Sequence, residues 1–344
     1  MRARHYINKI LEIIKTPFLS VYDYCVRVET AMLQGHELHV DIIPLQNIER
    51  GYGDWLIHPC VRYIPEGFAG HKWWMVCTPY PNFNSHYENP VLYYGDGNEE
   101  MPPLTWKFVA VVQPPYKKGY NADSNLFYDE EKLWITWKEA ETPNTKTENG
   151  YKVIMGCFYD GQTFSTPRVI CKNPDDTNMY LASQVLLRVK DELKLFAVFT
   201  PNSYRLVPNN KKGERHIAIF GKDKDGIQFQ FEGVRRQFYP KGFDFWHIDI
   251  FTYREKYYCL VTPESADRIL LGESEDGIQY HFFKEPLLHA NGKERTPYMY
   301  KVSGLVENDM FHLFYPMRKK EKNIVHLHVT SMNFNELLQK LRKQ

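Results

Sequence analysis

Asp225-Gly226-Ile227-Gln228-Phe229 and Asp276-Gly277-Ile278-Gln279-Tyr280 are one phrase, present twice in the chain. Asp-Gly favours a tight hairpin, because glycine accepts a positive φ at no steric cost. The aromatic two positions after Ile then leads into the outermost strand of a unit. A looser copy, Asp160-Gly161-Gln162-Thr163-Phe164, stands upstream, and Asp96-Gly97 closes an earlier strand-like run. A turn signal that recurs in this way marks a repeat architecture.

Working outward, each turn closes a unit of short apolar and aromatic strands. The unit recurs about every 60 residues, a period proper to repeated supersecondary structures. Strand runs fall at 58–63, 72–77 and 89–97 in the first unit, and at 122–128, 132–137 and 151–156 in the second. They fall at 181–188, 193–199 and 216–220 in the third, and at 246–253, 257–261 and 268–274 in the fourth. The fifth has 299–307, 311–315 and 324–330. Short, evenly spaced strands with little helix between them indicate a sandwich, a barrel or a propeller. Four strands per unit favour the propeller, whose radial repeats leave only short, protected edges.

The sequence therefore predicts an all-β fold: a five-bladed β-propeller of four-stranded antiparallel blades, with a short N-terminal helix. Residues 1–45 hold that helix and a strand near 26–40 that closes the last blade. Residues 46–332 form the propeller, and 333–344 a helical tail. In the N-terminal stretch Ile7, Ile10, Leu11, Ile13 and Ile14 are interrupted by Arg2, Arg4, Lys9, Glu12 and Lys15. That pattern is an amphipathic helix and not the uninterrupted apolar core of a secretion signal. A cytoplasmic location follows as the expectation. No run is long enough to span a bilayer.

Lys and Arg number 43 against 42 Asp and Glu, for a net charge of +1. This balance gives no footprint for nucleic acid, which needs a clustered basic patch. The six cysteines form no CxxC pair, so free buried thiols are expected. Aromatics are abundant, with 24 Tyr, 21 Phe and 7 Trp. Rings pack well on a pleated surface, and they also offer faces on which sugars stack.

The blade grammar over roughly residues 50 to 330 resembles the five-bladed propellers of the family 43, 62, 32 and 68 glycoside hydrolase superfamily. The resemblance implies a carbohydrate ligand and three acids at inner-strand starts. These are a general base in an Asp-Pro step of the first blade, a pKa-tuning Asp in the second and a general acid Glu in the third. Here His58-Pro59 stands at the first position, Ala122-Asp123 matches the second, and Ser183-Gln184 stands at the third. Two of the three expected acids are replaced, which implies a divergent branch.

Glycoside hydrolysis needs two carboxyl groups, one protonated and one ionised. Asp54, Glu88, Asp123, Asp244 and Asp249 stand at strand starts that converge on the axis. Asp123 is the first catalytic candidate. Glu88, held before Pro90, can take the acid role missing from the third blade, and Asp54 lies in a glycine-flanked loop. His58 and His247 begin blades one and four, where imidazole can serve as acid or base near neutral pH. His58 joins the catalytic set. His247, Trp246, Trp55, Asp249, Gln184, Arg295 and Tyr298 form the expected ligand wall. No cofactor is required, and the one metal site the pattern admits combines His58, His247 and Asp123. Asp123→Asn is expected to abolish hydrolysis with little loss of fold, and His247→Ala to weaken ligand binding.

Three functions remain open at this point. The first is a glycosidase-like enzyme acting on an oligosaccharide or polysaccharide. The second is a lectin-like binding propeller, and the third a structural or interaction protein of a phage or envelope assembly. The oligomeric state is not legible.

Overall fold

The computed structural model describes residues 36–37, 39–40, 55–97, 101–129, 131–141, 152–172, 180–200, 215–223, 228–235, 237, 240, 243, 245–289, 299–319 and 324–343. The expected N-terminal helix, Asp54, Asp225 to Ile227, Asp244, Arg295 and Tyr298 lie outside the described residues.

Five antiparallel sheets form five blades. Their inner strands are Leu56–Phe68, Gly119–Asp129, Tyr180–Val189, Phe245–Tyr253 and Ser303–Glu307, and each lies beside the next around one axis. Blade I continues outward through His71–Pro79, Val91–Gly95 and Thr105–Val111, with His39–Val40 added parallel at its edge. Blade V is completed by His36–Glu37, which pairs antiparallel with Ile324–Asn333. The chain thus closes its ring with a strand that precedes the first blade.

The Asp-Gly turns explain themselves atom by atom. Asp276 Oδ1 accepts the N–H groups of Ile278 and Gln279, both at 2.9 Å. Asp160 Oδ1 accepts those of Gln162 and Thr163 at 2.8 and 2.7 Å. Gly161 and Gly277 take φ of 97° and 72°, the region glycine enters without steric cost. Phe229 then begins the outer strand Phe229–Arg235, and Tyr280, fully buried, precedes the short outer strand His281–Phe282.

One further pattern ties the blades together. Each inner strand offers a side-chain acceptor to a backbone N–H of the next. Cys60 Sγ accepts from Leu126 (3.2 Å), Asn125 Oδ1 from Leu186 (3.3 Å), and Ser183 Oγ from Ile248 (2.9 Å). Asp249 Oδ2 accepts from Gly304 and Ser303 Oγ from Val61, both at 3.0 Å. Five bonds close the circle. A buried N–H must find a partner, and here the neighbouring blade supplies each one.

The C-terminal helix, Phe334–Arg342, is capped by the Asn333 side chain, which accepts the Glu336 N–H at 3.1 Å. It buries Phe334, Leu337, Leu338 and Leu341 in one core with Phe251, Tyr258 and Phe311 of blades IV and V. Cys60, Cys77, Cys157, Cys171 and Cys259 are free and buried. No helix among the described residues is long and apolar enough to cross a membrane.

Candidate functional site

The site arises from a defect repeated in the inner strands. The antiparallel register slips between Ile57 and Cys60, between Ala122 and Asn125, and between Ala182 and Val185. Within each slip one residue takes a left-handed φ: His58 at 52°, Asp123 at 58° and Ser183 at 51°. A bulge of this kind re-aims a side chain. Blade IV slips between Phe245 and His247. The result brings residues of distant blades together at one end of the axis.

Asp123 is the meeting point, and every blade touches it. Its N–H donates to His58 Nδ1 of blade I at 3.2 Å. Oδ2 accepts Lys138 Nζ of its own blade at 2.8 Å and the Ser183 N–H of blade III at 3.1 Å. Oδ1 faces His247 Nε2 of blade IV at 3.1 Å and His58 Nε2 at 3.4 Å. Its carbonyl accepts Gln184 Nε2 at 2.6 Å and Lys301 Nζ of blade V at 3.1 Å. Lys301 also donates to Ser124 O at 2.8 Å.

Charge states follow from burial and neighbours. Burial alone would raise the Asp123 carboxyl, but the Lys138 ammonium and the hydrogen bond from His247 outweigh it and hold it well below the usual range. Burial holds His58 well below its ordinary value and takes His247 to about 4, against the pull of Asp123 in both cases. Both rings are therefore neutral at pH 7. Burial lifts Glu88 to about 8, opposed by Lys138 and assisted by Asp123. Glu88 thus keeps its proton at neutral pH. Its carbonyl accepts the Asn121 N–H at 3.0 Å, which ties its loop to the strand that carries Asp123.

The ligand atoms of His58, Asp123 and His247 lie within 4.8 Å of one another. Two ligands each about 2.1 Å from one ion are about 3.0 Å apart at a right angle and about 3.4 Å apart at a tetrahedral one. The 3.1 Å between Asp123 Oδ1 and His247 Nε2 matches such a pair. His58 differs, because its Nδ1 accepts the Asp123 N–H. The neutral ring then carries its proton on Nε2, assigned from this bond, and this nitrogen lies 3.4 Å from Oδ1 without a hydrogen bond to it. Asp123 and His247 thus have both the distance of a hydrogen bond and the spacing of two ligands of one divalent cation, with His58 beside them.

Half-buried aromatics flank this end. The Tyr300 ring lies 4.3 Å from that of His247 and 5.3 Å from that of His58. Trp246 Nε1–H donates to Tyr300 Oη at 3.0 Å, and the Arg215 guanidinium stacks 4.1 Å from the Trp246 ring.

Other candidates have different roles. Trp55 is buried edge-on against Phe83 at 5.2 Å, so its ring belongs to the packing. Asp249 lies two residues beyond His247, where it holds Arg62 at 3.3 Å and the Gly304 N–H. Gln184 secures the Asp123 carbonyl. The expectation that Asp123→Asn costs little of the fold needs revision, because Asp123 is the buried partner of a buried lysine. Sequence reasoning missed Lys138, Lys301 and Tyr300. The available signal was a lysine inside an apolar strand run, as in Ile135-Thr136-Trp137-Lys138.

No protein-family model matches the chain. A segment of 117 residues, 33% of this chain, is 28% identical to the A type blood N-acetyl-alpha-D-galactosamine deacetylase of Flavonifractor plautii, and it spans 15% of that protein's length. Among solved structures, the N-acetylgalactosamine deacetylase from F. plautii in complex with blood group B trisaccharide superposes with a TM-score of 0.69. Sequence identity is 17%, over 90% of this chain and 97% of that one. The RS223 β-xylosidase gives 0.59 at 14% identity, over 81% and 92% of the two chains. The GH43_1 enzyme from Xanthomonas citri complexed with xylotriose gives 0.59 at 11%, over 89% and 91%. The shared feature is the five-bladed propeller of family 43 glycoside hydrolases and the deacetylase.

Proposed function

We propose that this chain is a carbohydrate-active hydrolase. It binds the end of an oligosaccharide or polysaccharide at the Asp123 mouth of the axis and removes an N-acyl group from an amino sugar there. One observation carries this reading: a single ionised carboxylate, Asp123, faces His247 at the spacing of shared metal ligands, with the protonated Glu88 electrostatically coupled to it.

Glycosidic hydrolysis by inversion needs a carboxylate free to take a proton from water. Asp123 is not free, since Lys138 and the Ser183 N–H fill one oxygen while His247 faces the other. Amide hydrolysis has different needs: an activated water, a stabilised oxyanion and a proton for the departing amine. A divalent cation, if held by Asp123 and His247, would supply Lewis acidity and an acidified water. Lys138 keeps Asp123 anionic. His58 holds a proton on Nε2 beside Oδ1, free to be donated to a ligand oxygen. Glu88 carries the proton that the amine takes up, because a general acid works best with a pKa near the operating pH. Trp246 and Tyr300 offer apolar faces to a sugar ring. The N-acetylgalactosamine deacetylase from F. plautii acts by its name on the same class of bond, which supports the reading.

A second reading, glycosidic cleavage, is favoured by Glu88 and Asp123 themselves, two carboxyls whose environments push their pKa values apart. One experiment separates the two. The protein is incubated with oligosaccharides ending in acetamido sugars, with EDTA or with added Mn2+, and the products are identified by mass. Loss of acetyl with the glycan chain intact, abolished by EDTA and restored by Mn2+, is the expected result. Released monosaccharide, indifferent to EDTA, gives the second reading. Saturable binding without product makes the propeller a lectin.

A further inference from the structure

The inner strands run on past Asp123. Four residues beyond His58, about 13 Å at the rise of a strand, stands Arg62. There the five inner strands surround a cavity of about 280 Å3. Ligand sites span about 300–1,000 Å3, so an occupant of this one is small. Phe127, Leu187, Ile250 and Leu305 give it an apolar lining. Arg62 is the cation among its lining residues, and Glu307 lies at the outer end of its strand.

Arg62 has donors to spare. A guanidinium carries five N–H groups. Nη1 donates to Val61 O at 2.8 Å and Nη2 to Asp249 Oδ1 at 3.3 Å. Among the described residues these are its hydrogen-bond partners. The Asp249 contact is single and long, where an arginine–carboxylate pair usually makes two bonds of about 2.7–2.9 Å. Asp249 cannot turn to complete the fork, because Oδ2 is occupied by the Gly304 N–H at 3.0 Å. Lys301, fully buried and held by the Asp123 and Ser124 carbonyls, adds positive charge near both Arg62 and Asp249.

We propose that this opposite mouth of the axis is a second binding site, which takes a small organic carboxylate with an apolar body. The carboxylate oxygens complete the fork that Asp249 leaves open on Arg62. The body lies against Phe127, Leu187 and Leu305. The site is independent of the chemistry at Asp123.

The test uses hexanoate and hexanol as matched probes, titrated into the full chain by calorimetry. EDTA is present, so that an ion at Asp123 offers no competing carboxylate site. Hexanoate is expected to bind saturably, and hexanol about tenfold more weakly or worse, the weight of one charge-assisted contact. Arg62→Met should weaken hexanoate about as much. Leu187→Trp, which fills the cavity and keeps Arg62, should abolish binding, and it carries the test alone if Arg62→Met does not fold. Equal binding of the two probes, no saturable binding of hexanoate, or full binding by Leu187→Trp would overturn the proposal. None of these outcomes depends on whether the Asp123 end hydrolyses anything.

Discussion

Asp123 and Lys138 are an ion pair with almost no water around it, 1% and 4% exposed at their side chains. Removing one member of a buried pair leaves the other charged and alone, at a cost of about 3–5 kcal/mol. Asp123→Asn is therefore expected to lose that much stability in urea denaturation, together with any activity. Lys138→Met added to it should recover a large part of the stability but none of the activity. A loss below about 1 kcal/mol in the single variant would show that Lys138 finds other partners. Glu88 makes a second prediction, with a definite sign. Its carboxyl rises from 4.5 in the unfolded chain to about 8 in the fold. Below pH 4.5 both states hold the proton. Between 4.5 and 8 only the unfolded chain gives it up, so stability falls as pH rises, and above 8 it levels off. The window is worth roughly 4–5 kcal/mol at about 1.4 kcal/mol per pH unit. Glu88→Gln should remove this slope, as denaturation at pH 5, 6.5 and 8 would register. Parallel pH profiles for the two proteins would mean that Glu88 is ionised in the fold.

At the scale of the strand, the link between blades rests on few atoms. Ser183 Oγ accepts the Ile248 N–H and donates to the Ile248 carbonyl, at 2.9 and 3.1 Å. Ser183→Ala leaves both backbone groups buried and unpaired, a cost of about 1–3 kcal/mol. Faster amide exchange at Ile248, with the other blades unchanged, would mark the break. Unchanged exchange there would show that the ring does not depend on this bond. These links also show what the chain discloses about itself. Asp276-Gly277 could be read directly, because its turn is made by atoms within three residues. The outer strands followed from that turn. The bulges at His58, Asp123 and Ser183 left no local signal: a positive φ at a non-glycine residue is imposed by neighbours from other blades. Lys138 and Lys301 were hidden for the same reason. Each is an ordinary lysine until an axis closes around it. His58, Asp123 and His247 could be nominated because strand starts in a repeat converge, but which of them donates and which could ligate depends on one backbone N–H.

At the scale of the whole molecule, the site and the ring are one object. All five blades touch Asp123, and five inter-blade bonds close around the same axis. A ligand bound there therefore acts on the complete propeller and not on one blade. An ion held by Asp123 and His247, as proposed above, would add stability by mass action, about 2.7 kcal/mol at a hundredfold excess over its Kd. Because blades I to V are bonded in a circle, that stabilisation should appear as one cooperative shift of several degrees in Tm. Mn2+ added to EDTA-treated protein should produce it, and His247→Ala should abolish it while the transition remains single. A shift confined to part of a divided transition would mean that the blades melt apart and that the ion reports on two of them. A shift that persists in His247→Ala would place the ion elsewhere. The expected result ties the fold to the chemistry: an unsplit transition, moved by an ion, through one carboxylate that no blade could position alone.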